Sequence, residues 1–122
     1  MLKIKTLSQE LLKTETELIV VSLFNDVIPI KGDAGYIDWL LNGQISNLIK
    51  KKKVFGNFKE SVLLSSCNKI PSEKILLVGF GKASHLTSPK LSYIFSAIMD
   101  IIHRIKIKDF GIHLRHRMSQ IL

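Results

Sequence analysis

The residues with the clearest potential for chemistry form a glycine-rich stretch, Gly79-Phe80-Gly81-Lys82, which follows an apolar run at 75–78. The pattern predicts a tight glycine turn where a strand ends before a helix. Glycines at such a position allow backbone N–H groups to approach an anion closely. The spacing matches neither phosphate-binding fingerprint, because a P-loop separates its glycines by four residues and the dinucleotide fingerprint has a third glycine. Two interpretations stay open: a structural turn, or a ligand site formed by Gly79, Gly81 and Lys82.

The strongest electrostatic feature is a run of adjacent lysines, which consists of Lys50, Lys51, Lys52 and Lys53. The chain has 18 Lys+Arg against 10 Asp+Glu, and its net charge of +8 favours an anionic partner such as nucleic acid. Such binding would use phosphate contacts and depend steeply on salt, with Arg104 and Arg115 as further candidates. The alternative is a solvated helix end, where cations interact favourably with the helix dipole.

Metal ligands and nucleophiles do not form a recognisable set in the sequence. His113 and His116 straddle a predicted strand end, and Asp100 with His103 would supply only two ligands from one helix. Cys67 has no histidine nearby in sequence, so we interpret it as a small buried or loop cysteine. We therefore predict no catalytic residue, no metal site and no cofactor on this chain.

Length and composition favour one folded domain over residues 1–122. Hydrophobic residues make up 46% of the chain, which excludes a disordered protein. The longest apolar run, Leu18–Phe24, is far shorter than the ~20 residues that span a bilayer, so no membrane partner is expected. The N-terminus lacks the apolar core of a signal peptide, and the single cysteine cannot form an internal disulfide. These features predict a cytoplasmic location.

Hydrophobic patterns predict an α/β fold with a mixed sheet. The run Leu18–Phe24 is apolar and rich in β-branched residues, which indicates a central strand covered on both faces. Further strands are predicted near residues 2–6, 61–65, 75–78 and 109–114. The segment 66–72 is too short for a helical crossover, so the strands at 61–65 and 75–78 should be antiparallel neighbours.

Two segments have the spacing of amphipathic helices. Asp33 is a candidate cap for a helix that begins at Ala34, and Gly43 should weaken or break it. One apolar stripe, which Trp39 and Leu40 widen, consists of Ala34, Ile37, Leu41, Ile45 and Leu48. A second helix is capped by Thr87 or Ser88, with Pro89 at its start. Its apolar face contains Leu91, Ile94, Phe95, Ile98, Ile101 or Ile102, and Ile105.

The order of these elements resembles the N-terminal domain of the leucyl (cytosol) aminopeptidases, peptidase family M17. The resemblance covers about residues 15–114. It rests on the strand at Leu18–Phe24, the segment GDA at 32–34, the segment GNFK at 56–59 and the segment LLVGFGK at 76–82 with the helix that follows. This resemblance implies a macro-domain-like, three-layer α/β/α sandwich.

The same resemblance implies that catalysis lies elsewhere. In this family the domain precedes a catalytic domain with two divalent metals, Zn or Mn, and hexamers are usual. This sequence lacks the family's Asn-Thr-Asp-Ala-Glu-Gly-Arg run, so no catalytic residue is carried over. The chain stops soon after the strand predicted at 109–114, where such domains continue with a further helix and strand. It is therefore expected to be either a fragment or a trimmed stand-alone copy whose sheet lacks its last strand, which would leave a sheet edge unpaired.

We therefore expect a non-catalytic domain that acts in assembly or regulation. Its partner would be a catalytic domain, or a second copy that associates through a sheet edge. One alternative is a macro-type module that binds ADP-ribose or another nucleotide near Gly79, Gly81 and Lys82. The other is a basic nucleic-acid-binding domain, because the resembled family includes members that also act as DNA-binding regulators.

Overall fold

The computed structural model describes residues 3–5, 15–27 and 32–112, with side chains for 15–27 and 34–112. These residues form five strands in the spatial order β1-β5-β2-β4-β3. The strands are β1 (Lys3–Lys5), β2 (Leu18–Phe24), β3 (Ser61–Ser65), β4 (Lys74–Gly81) and β5 (Asp109–Ile112). The helices are α1 (Gly32–Leu40), α2 (Gln44–Lys50) and α3 (Ser88–Arg104), and a short 3₁₀ turn covers Ala83–His85.

Strand β2 lies at the centre of the sheet, as its continuous apolar sequence predicted. It pairs in parallel with β4 on one side and with β5 on the other. Strand β3 pairs with β4 in the antiparallel direction, with Ser61 opposite Val78 and Ser65 opposite Lys74. The predicted mixed sheet and the predicted antiparallel neighbours are both confirmed.

Successive side chains of β2 point to opposite faces of the sheet, so the strand contributes to two hydrophobic cores, one on each face. Leu18, Val20 and Phe24 pack on the face that α3 covers. Ile19, Val21 and Leu23 pack on the opposite face with buried residues of α1 and α2. The fold is therefore the expected three-layer α/β/α sandwich.

The first helical segment divides at Gly43, as its sequence predicted. Gly43 has φ +80°, and it separates α1 from α2. The buried stripe is confirmed at Ala34, Ile37, Leu41 and Ile45, while Leu48 is partly buried. The predicted role of Trp39 in this stripe is wrong: its side chain is 73% exposed, because the short helix buries only the face beneath it.

Helix α3 follows its predicted pattern closely. Thr87 is the N-cap, and its hydroxyl accepts a hydrogen bond from the Lys90 N–H at 3.4 Å. The side chains that face the sheet are all buried, namely Leu91, Ile94, Ile98 and Ile102. Phe95, Ile101 and Ile105 are partly buried against the same core. No helix in the part of the chain that the structure describes is long and apolar enough to cross a bilayer.

The predicted turn at Gly79-Phe80-Gly81 is wrong, because β4 continues through Gly81 and the chain turns only at Lys82. At one edge of the sheet, the predicted N-terminal strand β1 pairs with β5. Strand β5 therefore lies between β1 and β2. His113, Arg115 and His116 lie outside the described residues.

Candidate functional site at the carboxyl ends of the strands

The carboxyl ends of β2 and β4 meet at one end of the sheet, where α/β proteins commonly bind ligands. The Asn25 N–H donates to the Gly81 carbonyl at 3.0 Å. Asp26 Oδ1 accepts from the Ala83 N–H at 3.1 Å. The Asn25 amide also donates to Asn57 Oδ1 at 3.1 Å. These contacts join the residues that follow β2 to those that follow β4 and to a third segment.

That third segment, residues 56–60, packs directly on β4 and explains the glycine at position 79. A Cβ atom at position 79 would lie 1.9 Å from the Asn57 carbonyl oxygen, so only glycine fits there. Gly81 has φ +77°, which favours glycine on conformational grounds. Glu60 Oε1 accepts hydrogen bonds from the N–H groups of Phe55 at 2.8 Å and Gly56 at 2.6 Å. These bonds connect the two ends of the loop and stabilise its conformation.

The backbone N–H groups of Gly79 and Gly81, which the sequence suggested as anion donors, already donate hydrogen bonds within the protein. The Gly79 N–H donates to the Glu60 carbonyl at 2.7 Å, and the Gly81 N–H donates to the Gly56 carbonyl at 2.9 Å. An anion at this end of the sheet would therefore need other donors. Of the three predicted ligand residues, Lys82 is the one with an exposed side chain. Ligand binding by these residues stays a prediction.

A cluster of aromatic rings and lysines lies next to this end of the sheet, and sequence reasoning missed it. The rings of Phe58 and Tyr93 are 5.7 Å apart between centroids. Lys59 Nζ lies 4.4 Å from the Tyr93 centroid, and Lys90 Nζ lies 6.0 Å from that of Phe58. Lys59 also has φ +76°, an uncommon conformation for a non-glycine residue. We call Phe58, Lys59, Lys90 and Tyr93 the lysine–aromatic cluster.

Among the predicted nucleic-acid-binding residues that the structure describes, the lysine run and Arg104 lie in different places, and binding by them stays a prediction. Lys50, Lys51, Lys52 and Lys53 are all exposed at the end of α2, which leads into the loop beside the carboxyl end of β2. Arg104 is exposed at the end of α3, on the opposite face of the sheet and just before β5 begins. The topology therefore places Arg104 near the amino ends of the parallel strands, away from the lysine run. Arg115 is not among the described residues.

The resemblance places the two divalent metals in a separate catalytic domain, and the described residues of this chain contain no grouped metal ligands. Within 3–5, 15–27 and 32–112, no three or more His, Cys, Asp or Glu side chains are grouped so that they could hold an ion. Asp100 and His103 are exposed on α3. Cys67 is exposed in a loop, with φ +54°.

A second surface feature lies on α1, away from the ends of the strands. Trp39 is 73% exposed and Tyr36 is 36% exposed, and their rings are 6.3 Å apart between centroids. Two adjacent exposed aromatic side chains are unusual on a solvated helix, because burying them in an interface is favourable. We call Tyr36 and Trp39 the α1 aromatic pair.

Comparison with known proteins identifies the relatives of this chain. Residues 20–120 match the model of the N-terminal domain of the cytosol aminopeptidase family. A probable cytosol aminopeptidase from Buchnera aphidicola is 35% identical over 97 residues, which is 80% of this chain and 19% of that protein. A probable cytosol aminopeptidase from Pseudomonas syringae is 31% identical over 113 residues, which is 93% of this chain and 22% of that protein. The chain thus spans about a fifth of these relatives.

Two solved structures share the fold. A mutant of tomato leucine aminopeptidase superposes with a TM-score of 0.67 at 17% identity, over 92% of this chain and 23% of that one. The macrodomain of Mycobacterium tuberculosis DarG superposes with a TM-score of 0.68 at 14% identity, over 89% of this chain and 74% of that one. These likenesses confirm the macro-domain-like sandwich. The sequence matches lead to the conclusion that the chain belongs to the cytosol aminopeptidase family and corresponds to its N-terminal domain.

Proposed function

We propose that this chain is a non-catalytic assembly or regulatory domain, located in the cytoplasm, that docks onto the catalytic region of an aminopeptidase. The relatives it matches are several times longer, so most of each relative lies outside the match. A domain that works beside a larger catalytic region needs a contact surface. The single observation that carries the proposal is the exposed α1 aromatic pair.

The α1 aromatic pair has the chemistry of a binding hot spot. Tryptophan and tyrosine are enriched among the residues whose truncation weakens protein–protein binding most. Trp39 exposes 73% of its surface in this chain, so a partner that covers it would remove a large apolar area from water. The underlying helix is held firmly, because Ala34 and Ile37 are buried in the core beneath it.

The absence of peptidase activity is tested with leucine p-nitroanilide in the presence of Mn²⁺ or Zn²⁺. We expect no hydrolysis above the rate of the metal alone. Metal-dependent turnover by the purified chain would contradict a non-catalytic role. A longer aminopeptidase under the same conditions is the positive control.

Docking is tested by calorimetry against the catalytic region of the Pseudomonas syringae aminopeptidase, prepared without the segment that matches this chain. We expect Trp39→Ser to weaken binding at least ~10-fold, as truncation of a hot spot does. The matched control is Tyr93→Ser, which removes an aromatic side chain of 50% exposure from the opposite face of the sheet. Equal affinities for the two variants, or no binding by the unmodified chain, would refute docking through α1.

A second candidate function is binding of a nucleotide such as ADP-ribose at the carboxyl ends of the strands. The lysine–aromatic cluster supports it, because rings can stack on a base while lysines bind phosphate. Lys82 lies at the same end of the sheet. Calorimetry with millimolar ADP-ribose should then give heat that Tyr93→Ala reduces, and the absence of heat would rule this candidate out.

A further inference from the structure

We propose that β3 forms a two-fold symmetric, antiparallel pair with β3 of a second copy of this chain, so that the two sheets join edge to edge. This inference rests on the proposed assembly function and assigns one surface and one partner to it. Among the described residues, β3 pairs only with β4 and forms one edge of the sheet. An unpaired strand edge is a ready template for another strand.

Hydrogen bonds at both ends of β3 establish which of its backbone groups face outward. The Gly79 N–H donates to the Glu60 carbonyl at 2.7 Å, and the Ser66 N–H donates to the Glu73 carbonyl at 2.9 Å. Residues 60 and 66 therefore point their backbone groups toward β4, and antiparallel alternation places 62 and 64 with them. The N–H and C=O groups of Ser61, Leu63 and Ser65 consequently point away from β4.

The side chains on this edge are accessible as well. Val62 and Leu64 pack against the core beneath α1 and α2, while Leu63 points to the opposite face and is 44% exposed. The core on that face contains no residue of β3, so α3 does not extend over Leu63. Ser61 and Ser65 are exposed at the two ends of the strand. Two local hydrogen bonds reach Ser65: the Cys67 N–H donates to its side-chain oxygen at 3.1 Å, and the Cys67 thiol donates to its carbonyl at 3.9 Å.

The sequence of β3 favours a second copy as the partner. SVLLS is nearly symmetric about Leu63, with serine at both ends and an aliphatic residue on each side of the centre. Two-fold antiparallel pairing would place Leu63 opposite its own equivalent and Ser61 opposite Ser65. In a chain with a net charge of +8, the stretch 61–68 contains no charged residue, so like charges do not oppose this contact.

The register can be tested by cysteine cross-linking in a Cys67→Ala background. Leu63→Cys would face itself in a hydrogen-bonded pair, where the Cα atoms lie ~5.5 Å apart and a disulfide can form. The matched control is Ser61→Cys, an exposed position on the same edge. In this register two such cysteines would lie about 13 Å apart along the strands. Each variant is oxidised at the same concentration and resolved without reductant, and thermal unfolding verifies that both are folded.

Faster formation of covalent dimer by Leu63→Cys than by Ser61→Cys supports the pairing, and we expect a difference of at least ~10-fold. Equal or slower cross-linking of Leu63→Cys overturns it. As a second measurement, reduced unmodified chain should sediment above its monomer mass of 13.8 kDa as its concentration rises. Leu63→Lys should keep it monomeric, whereas Ser96→Lys on the exposed side of α3 should not.

These results are separable from the docking test on α1. The docking test requires a catalytic region and changes Trp39, whereas the cross-linking test uses this chain alone and changes β3. Loss of docking with retained cross-linking would refute the contact with a catalytic region and leave the β3 pair in place. Retained docking without preferential cross-linking at Leu63 would refute only the β3 pair.

Discussion

Replacing Gly79 with alanine should destabilise the protein more than any comparable glycine substitution in the described chain. The new Cβ would lie 1.9 Å from the Asn57 carbonyl oxygen and 2.9 Å from the carbonyl carbons of Asn57 and Gly56. Ordinary contacts of a Cβ are longer than 3.0 Å, so the loop at 56–60 must move by more than an ångström. The clash involves backbone on both sides, which cannot be relieved by a change of rotamer.

The magnitude follows from the hydrogen bonds that such a movement breaks. Three backbone bonds join the loop to β4: Lys59 to Gly79 at 3.3 Å, Gly79 to Glu60 at 2.7 Å, and Gly81 to Gly56 at 2.9 Å. At a net value of ~1 kcal/mol each, their loss costs about 3 kcal/mol. That is a large part of the 5–15 kcal/mol typical of a native domain, and it corresponds to a fall in Tm of about 12 °C.

Urea denaturation followed by circular dichroism measures this loss directly. The control is Gly43→Ala, because no atom lies within 4 Å of the new Cβ there, although Gly43 has a φ of +80° and Gly79 does not have a positive φ. That control should cost only the left-handed backbone strain, ~1 kcal/mol. A Gly79→Ala variant no less stable than Gly43→Ala would show that the loop yields freely, and the reasoning about the close approach would be refuted.

Three further predictions concern the Glu60 side chain, the Thr87 cap and the lysine run. Glu60→Ala should lower the free energy of unfolding by about 2–3 kcal/mol, because two N–H groups lose a charged acceptor, and Glu60→Gln should lower it by less; urea denaturation of both variants checks the order. Thr87→Ala should cost about 0.5–1 kcal/mol in the same assay, at the low end for an N-cap because the bond is long at 3.4 Å; a loss above ~2 kcal/mol would contradict this. If the lysine run binds duplex DNA, its four cations limit the slope of log K against log salt to about −4, and Arg104→Ala should leave affinity unchanged, as titrations at several salt concentrations would show.

The sheet and the long helix could be predicted because their signals are local. β2 is a continuous apolar run, and α3 repeats its buried residues at spacings of three and four. Thr87 and Gly43 likewise mark boundaries by their own backbone preferences. Each of these features depends on neighbours along the chain, so the sequence contains the information needed.

The features that were missed depend on contacts between distant segments. Gly79 and Gly81 have the pattern of a turn, but Gly79 is required because Asn57 approaches it from a separate loop. Phe58 and Tyr93 meet across two elements, so no single motif contains their cluster. Trp39 was predicted to widen the apolar stripe, yet it is two residues from both Ile37 and Leu41, so it lies about 200° around the helix from the buried face and is exposed.

The central claim, docking onto a catalytic region, is tested most directly by the fluorescence of Trp39, the single tryptophan of the chain. At 73% exposure its emission should resemble that of a solvated indole and be readily quenched by acrylamide. Adding the tryptophan-free or spectrally subtracted catalytic region of the Pseudomonas syringae relative should move the emission to shorter wavelength and reduce quenching in a saturable way. Unchanged emission and quenching at saturating partner would contradict the account.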